Sequence, residues 1–261
     1  MPSRWKKLSQ EIVVKTENLG KIYVSYQGFL RRKKVLALKN FNLEIKRGEI
    51  FGLLGLNAAG KTTVLKILLG FIKPSWGQFE VLGKRKIDTD IKRKLGYLPE
   101  EPKLYDFFSA KDFLVFCGKL FDLSKSDILQ RTSSLLELVQ ISHASKRKIK
   151  EFSKGMIQRL AIVSALINEP EILFLDEPLS GLDPVGRKII KEVLLDFKKR
   201  EGTVLFSSHI LAEVEEICDR VGILHQGELL CVRKIKSVLS DFPSLENFFL
   251  KQIGVEKVNL S

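Results

Sequence analysis

Between Gly55 and Thr63 the chain reads GLNAAGKTT, a Gly-x-x-x-x-Gly-Lys-Thr spacing set between two apolar runs. A turn built only to reverse the chain needs one glycine or an Asn-Gly pair, not a lysine at the start of a helix. A strand at Ile50–Leu54, this loop and a helix over Val64–Leu69 form the P-loop pattern. Its chemistry is anion binding: backbone N–H groups and the helix dipole face one concavity, with Gly55, Leu56, Asn57, Ala58, Ala59 and Gly60 as its wall. Lys61 adds a point charge, and Thr62, followed by Thr63, offers a hydroxyl to Mg²⁺.

A second chemistry-bearing group is EILFLDEP, where four apolar residues end in Asp176 and Glu177. A buried strand that presents two carboxylates at its C-terminal edge brings them to the ligand crevice of an open α/β sheet. There Asp176 can hold Mg²⁺ through water and Glu177 can take a proton from a water attacking a γ-phosphate. Read without the loop, the same pair also suits a helix N-cap. Ser153-Lys154-Gly155 precedes an amphipathic helix, either as a second anion-gripping N-terminus or as an ordinary Ser cap. His209 follows the strand TVLFSS and opens a helix; Glu100 and Glu101 end the strand GYLP; Tyr23 lies in the N-terminal β region, where an aromatic can stack on a base.

The elements that must hold these residues are mostly strands alternating with helices. EIVVKTENL and VLALKNFNLEI alternate, GQFEVLG is short and turn-bounded, and KLGYLP, EILFLD, TVLFSS and VGILHQ follow the loop helix. The runs Ile172–Leu175 and Val204–Phe206 are apolar enough for burial on both faces. Pro184–Arg200 reads as a helix with Asp183 as N-cap and Gly202 beyond its end. Leu104–Ile149 has helical spacing only, and IKSVLSDFPSLENFFLKQIG makes a small helical tail. The expectation is an α/β fold: a P-loop NTPase core with a mostly parallel sheet, an antiparallel N-terminal β part and a helical insert.

Composition bounds the rest. The 261 residues hold one large or two small domains, and 44% apolar content is ordinary for a globular chain. No apolar run approaches the ~18–20 residues of a spanning helix. The start, MPSRWKKLSQEIVV, lacks the apolar segment of a signal peptide. Cys117, Cys218 and Cys231 show no CxxC spacing, which fits a reducing compartment without disulfides or zinc. The formal charge of +13 favours polyanions, but RRKK (31–34) and the two KRK clusters (84–86 and 146–148) are short and carry no aromatic interleaving.

Taken together these motifs resemble the nucleotide-binding subunits of ABC transporters, from Tyr23 to the tail. Gly55–Thr63 looks like the family's Walker A, Leu173–Glu177 like its Walker B and Ser180–Asp183 like its D-loop, while His209 falls on the switch histidine. FSKGMIQR looks like the LSGGQ signature, with Ser153 and Gly155 at matching positions. The order signature, LFLDEP, SGLD, then a histidine after a strand is far more specific than the loop alone. The resemblance implies ATP and Mg²⁺ (held by Thr62, Asp176 and Glu100), with Glu177 and His209 catalytic and Tyr23 against the base. It also implies two subunits sandwiching two ATPs, as a homodimer or a heterodimer, with Ser153 and Gly155 reaching the γ-phosphate across the dimer. Closure would then drive separate integral-membrane permease subunits from the cytoplasmic face of the cell membrane, with no nucleic acid expected. The implied divisions are an ATPase domain over 12–230, a helical subdomain over about 101–152 and an appendage over 231–261.

Three departures accompany the likeness: Ala58 replaces a glycine, Lys154 and Met156 replace a signature glycine and glutamine, and Glu100 stands for the Q-loop glutamine. Other P-loop proteins tolerate a side chain at this place, so ATP binding is expected to survive Ala58, with some weakening if that backbone needs φ > 0. GYLPE, FSKGM and SLENFFLKQIG look most like the exporter branch called ABC-2. Two other readings compete. A soluble ABC protein acting on nucleic acid or ribosomes suits the charge, but would carry two cassettes or a long coiled-coil insert. A small-molecule P-loop kinase leaves the signature, the D-loop and His209 unexplained.

Overall fold

The structure is a computed structural model and describes residues 11–27 and 31–255. The N-terminal stretch read against a signal peptide therefore lies largely outside the described residues. The chain divides into two compact units, one of 1–88 with 207–261 and one of 89–206. It is α/β, with an antiparallel N-terminal sheet and mostly parallel strands elsewhere.

In the first unit β1 (Ile12–Gln27) lies between β2 (Arg31–Lys46) and β4 (Trp76–Val81), antiparallel to both. Alternation along β1 and β2 drives Val14, Leu19, Leu38, Phe41 and Ile45 to full burial on one face. β3 (Ile50–Leu54) is buried at every residue and runs parallel to β8 (Arg220–His225). β8 turns back at Gln226-Gly227, both with positive φ, into the antiparallel β9 (Glu228–Lys234). Helix α1 (Lys61–Leu68) follows the glycine loop. Late in the chain come α7 (Leu211–Ile217), α8 (Ile235–Asp241) and α9 (Leu245–Gln252). The expected helical tail is thus two short helices, and Leu245 N–H donates to Glu215 on α7 at 2.9 Å.

The second unit carries β5 (Leu95–Leu98) parallel to β6 (Ile172–Asp176), with β7 (Thr203–Ser208) next to β6 and leading the chain back to the first unit. Its helices are α2 (Thr89–Lys92), α3 (Ala110–Leu120), α4 (Lys125–Leu138), α5 (Lys154–Ser164) and α6 (Pro184–Lys199). Short 3₁₀ turns at Ser142–Ala144 and Ile149–Glu151 complete the expected helical stretch, which holds no named strand. Ser109, Ser124, Ser153 and Asp183 cap the four long helices, each accepting a backbone N–H from the first turn.

Candidate functional site

The phosphate loop is built by close approach. A Cβ on Gly55 would lie 2.5 Å from the carbonyl oxygen of Leu224 on β8. Gly60 has φ 113°, a conformation side chains avoid, and a Cβ there would lie 2.6 Å from the carbonyl of Ala37. Both spaced glycines are therefore required by the backbone. Between them Leu56, Asn57 and Ala58 are exposed while Ala59 is buried. The loop is braced from the β8–β9 turn, where Gly227 N–H donates to Ala59 C=O at 3.0 Å.

Gly60 occupies the N-cap position of α1, and no side chain caps this helix. Among the described residues every other helix of eight or more residues has a side-chain cap. An uncapped N-terminus leaves its first N–H groups and positive dipole end for an anion. Lys61, 7% exposed, folds back so that Nζ donates to the carbonyls of Gly55 (2.7 Å) and Leu56 (3.4 Å). The ammonium is thereby held over the loop. Thr62 is half-buried; Thr63 is buried, with Oγ1 3.4 Å from Tyr23 Oη. Tyr23 is 39% exposed, with Lys21 Nζ over its ring, 5.3 Å from the centroid. Tyr23 thus falls beside the loop helix, 40 residues away in sequence. His209, in the same unit, is exposed. It does not open a helix as expected: Ser208 Oγ accepts Ile210 N–H at 3.0 Å, and that local turn delays α7 to Leu211.

In the second unit Asp176 ends β6 and is 1% exposed; Glu177 follows and is 6% exposed. Glu177 has φ 50°, the left-handed conformation, which costs an ordinary residue roughly 1–2 kcal/mol. Its carbonyl accepts Ser180 N–H at 3.1 Å, closing a turn around Pro178 and the fully buried Leu179. On β5, burial and then the Asp176 charge push the Tyr97 phenol up to about 12. Ser153 Oγ accepts Met156 N–H at 3.3 Å, so the serine is an N-cap, and Gly155 sits in the first turn, where a Cβ would lie 3.6 Å from Leu182. Asp183 caps α6 as expected, accepting Gly186 N–H at 2.6 Å. Glu100 is exposed just beyond β5. Among the described residues no group of three or more His, Cys, Asp or Glu side chains is arranged as a metal site. Cys117, Cys218 and Cys231 form no disulfide, and burial pushes Cys117 up to about 11.

A family model described as ABC transporter matches residues 38–180, from β2 through the turn after Glu177. The chain belongs to the ABC transporter family. This ABC ATPase is 47% identical over 234 residues to an uncharacterized ABC transporter ATP-binding protein of Synechocystis, covering 89% of this chain and 66% of that protein. Thus the chain spans about two thirds of that relative's length. It is 39% identical over 221 residues to the bacitracin transport ATP-binding protein BcrA of Bacillus licheniformis, covering 84% of this chain and 68% of BcrA. To the lantibiotic transport ATP-binding protein SrtF of Streptococcus pyogenes it is 37% identical over 245 residues, covering 94% and 99%. Among solved structures, the ATP-binding subunit of an ABC transporter superposes with a TM-score of 0.80 at 28% identity, covering 92% of this chain and 99% of that one. The ATP-binding cassette MJ0796, in a dimeric post-hydrolysis state with ADP and Pi, gives 0.77 at 26%, covering 85% and 98%.

Three features of this ABC ATPase were missed in the sequence. β9 was signalled only by the Gln226-Gly227 hairpin dipeptide. The left-handed Glu177 carries no sequence signal, since Gly or Asn is the usual mark of that conformation. Gln158, buried on α5 with Nε2 donating to the Pro178 carbonyl at 3.0 Å, reads in sequence as one polar residue in an amphipathic helix.

Proposed function

We propose that this ABC ATPase is the motor subunit of an exporter, hydrolysing ATP to drive separate membrane subunits. The observation that carries nucleotide binding is the uncapped start of α1 with Lys61 folded over the loop. Transport is supported by the likeness to the bacitracin and lantibiotic transport proteins, the second over nearly its whole length; its direction, export, follows from the resemblance of GYLPE, FSKGM and the tail to the ABC-2 branch. No helix among the described residues is long and apolar enough to cross a membrane. A relative of 27% identity, cbiO1 of Clostridium perfringens, is part of the ABC transporter complex cbiONQ, which supports an assembly with further subunits; in this reading the motor sits at the cytoplasmic face of the membrane.

In this reading residues Gly55–Thr63 hold the phosphates and Tyr23 stacks on the base. Glu177 accepts the proton of the attacking water as its oxygen bonds to the γ-phosphorus and the bond to the β–γ bridging oxygen breaks. His209 senses the γ-phosphate, and Ser153 and Gly155 contact it from the other member of an ATP-closed dimer; that the MJ0796 cassette is dimeric with ADP and Pi supports dimerisation. The Thr62 hydroxyl and the Asp176 carboxylate, with Glu100 as a third donor, are hard oxygen ligands that suit Mg²⁺. When bound, the ion neutralises phosphate charge. The functional divisions are 12–230, about 101–152 within it, and 231–261.

The test is Glu177→Gln. The amide keeps the shape and loses the base, so the variant should bind ATP, turn over ~10²–10⁴-fold more slowly, and run as an ATP-dependent dimer on size exclusion. It should also co-purify with a membrane protein from detergent-solubilised membranes. Near-full turnover removes Glu177 from the role, and a strictly monomeric profile with ATP counts against the sandwich.

A further inference from the structure

Glu177 is held in a left-handed conformation that an unsupported glutamate does not keep, so its neighbours must fix it. The fixing contacts lie within the second unit. The turn Glu177–Ser180 is closed by its own backbone hydrogen bond and pinned by buried Leu179. The carbonyl of Pro178, the residue joined directly to Glu177, accepts the Gln158 amide in a buried hydrogen bond. Gln158 belongs to the helix that begins at the Ser153 cap. One turn earlier on the same helix, Lys154 Cε lies 2.7 Å from the position a Cβ on Gly181 would take, and Gly155 approaches Leu182. Residues 154, 155 and 158 share one helix face. That face meets Pro178, Gly181 and Leu182, so the start of α5 and the segment after the carboxylate pack as one piece.

We propose that Gln158 is a positioning residue for hydrolysis: through the Pro178 carbonyl it sets the backbone of Glu177 and ties that carboxylate to the helix headed by Ser153. This rests on the reading of Glu177 as the base. A glutamine is suited to the task because its amide can donate to a carbonyl at neutral pH without bringing a charge into a buried site.

The purified chain is assayed for ATP hydrolysis with Gln158→Leu, Gln158→Glu, Glu177→Gln and the Gln158→Leu/Glu177→Gln double variant, alongside calorimetric ATP binding. Gln158→Leu should lower kcat by about 10–100-fold, the cost of a displaced catalytic group, while KM and the ATP Kd stay within about twofold. On the Glu177→Gln background the same change should add nothing, because Gln158 acts only through Glu177. Gln158→Glu supplies a donor only when protonated, so its rate relative to the parent should climb as pH is lowered. A kcat for Gln158→Leu within twofold of the parent, or a further loss in the double variant, overturns the proposal. If Gln158→Leu does not fold, a flat relative pH profile for Gln158→Glu overturns it instead. Glu177→Gln with full turnover removes both readings, whereas an inactive Glu177→Gln beside a normal Gln158→Leu removes only the positioning role.

Discussion

Replacing Ala58 by glycine should stabilise the protein. Ala58 sits in the phosphate loop at φ 62°, where a Cβ collides with its own backbone. The strain is roughly 1–2 kcal/mol for an L-residue in this region. Glycine removes it but adds freedom to the unfolded chain worth about 0.4–1 kcal/mol. Ala58 is exposed, so neither a cavity nor lost burial enters the difference. At the midpoints of these ranges the net gain is about 0.8 kcal/mol, which for a chain of this size raises Tm by about 2–3 °C. Calorimetry of the ligand-free protein reads this directly. The ATP Kd should stay within about twofold, because strain present in both free and bound loop cancels from the binding equilibrium. Gly60→Ala is the control of opposite sign: its φ of 113° and the 2.6 Å approach to Ala37 C=O should cost at least about 2 kcal/mol. An unchanged or lowered Tm for Ala58→Gly would refute the strain argument. A tenfold change in Kd would show that the loop alters its backbone at 58 on binding.

Two other outcomes follow from the same geometry. Lys61→Ala removes a charge-assisted interaction of about 1.5–3 kcal/mol, so the ATP Kd measured by calorimetric titration should rise about 10–150-fold; unchanged affinity would remove the lysine from the phosphate site. The phenol of Tyr97 should be seen by ultraviolet titration to ionise near 12, and Asp176→Asn should lower that value while leaving it above 10, since burial is the larger cause. The raised folded value means that the stability carried by the neutral phenol is complete below pH 10 and is lost as pH rises toward about 12.

The glycine loop was legible because Gly55 and Gly60 answer to one local demand, a tight backbone turn into α1, and local demands leave fixed spacings. β6 was legible for another reason: burial on both faces leaves an unbroken apolar run ending at Asp176. Asp183 as a cap followed from residue type and the adjacent Pro184. Where the fold itself sets the conformation, the sequence was mute. At Ala58 the departure from glycine was visible, but the sign of φ was not. At Glu177 a left-handed backbone is imposed by the packing of Pro178 and Leu179 and by Gln158, 19 residues upstream. β9 is only partly buried, so its alternation is faint. The helix after His209 was placed two residues early because a serine hydroxyl took the first N–H.

The hydrogen bond from Gly227 to Ala59 also bears on how the chain is made. The loop's brace, like the pairing of β3 with β8, is supplied by residues translated 168 positions later. At ~5–20 residues per second that interval is roughly 8–34 s. For that time the nascent chain carries β3, apolar at every position but Gly52, without its β8 neighbour. Until Gly227 is made the loop lacks that brace, so tight capture of nucleotide is expected only after β8 and its turn are synthesised. Exposure of β3 during synthesis makes the growing chain a client for whatever shields unpaired strands, and sets the pace at which the subunit reaches a form able to assemble.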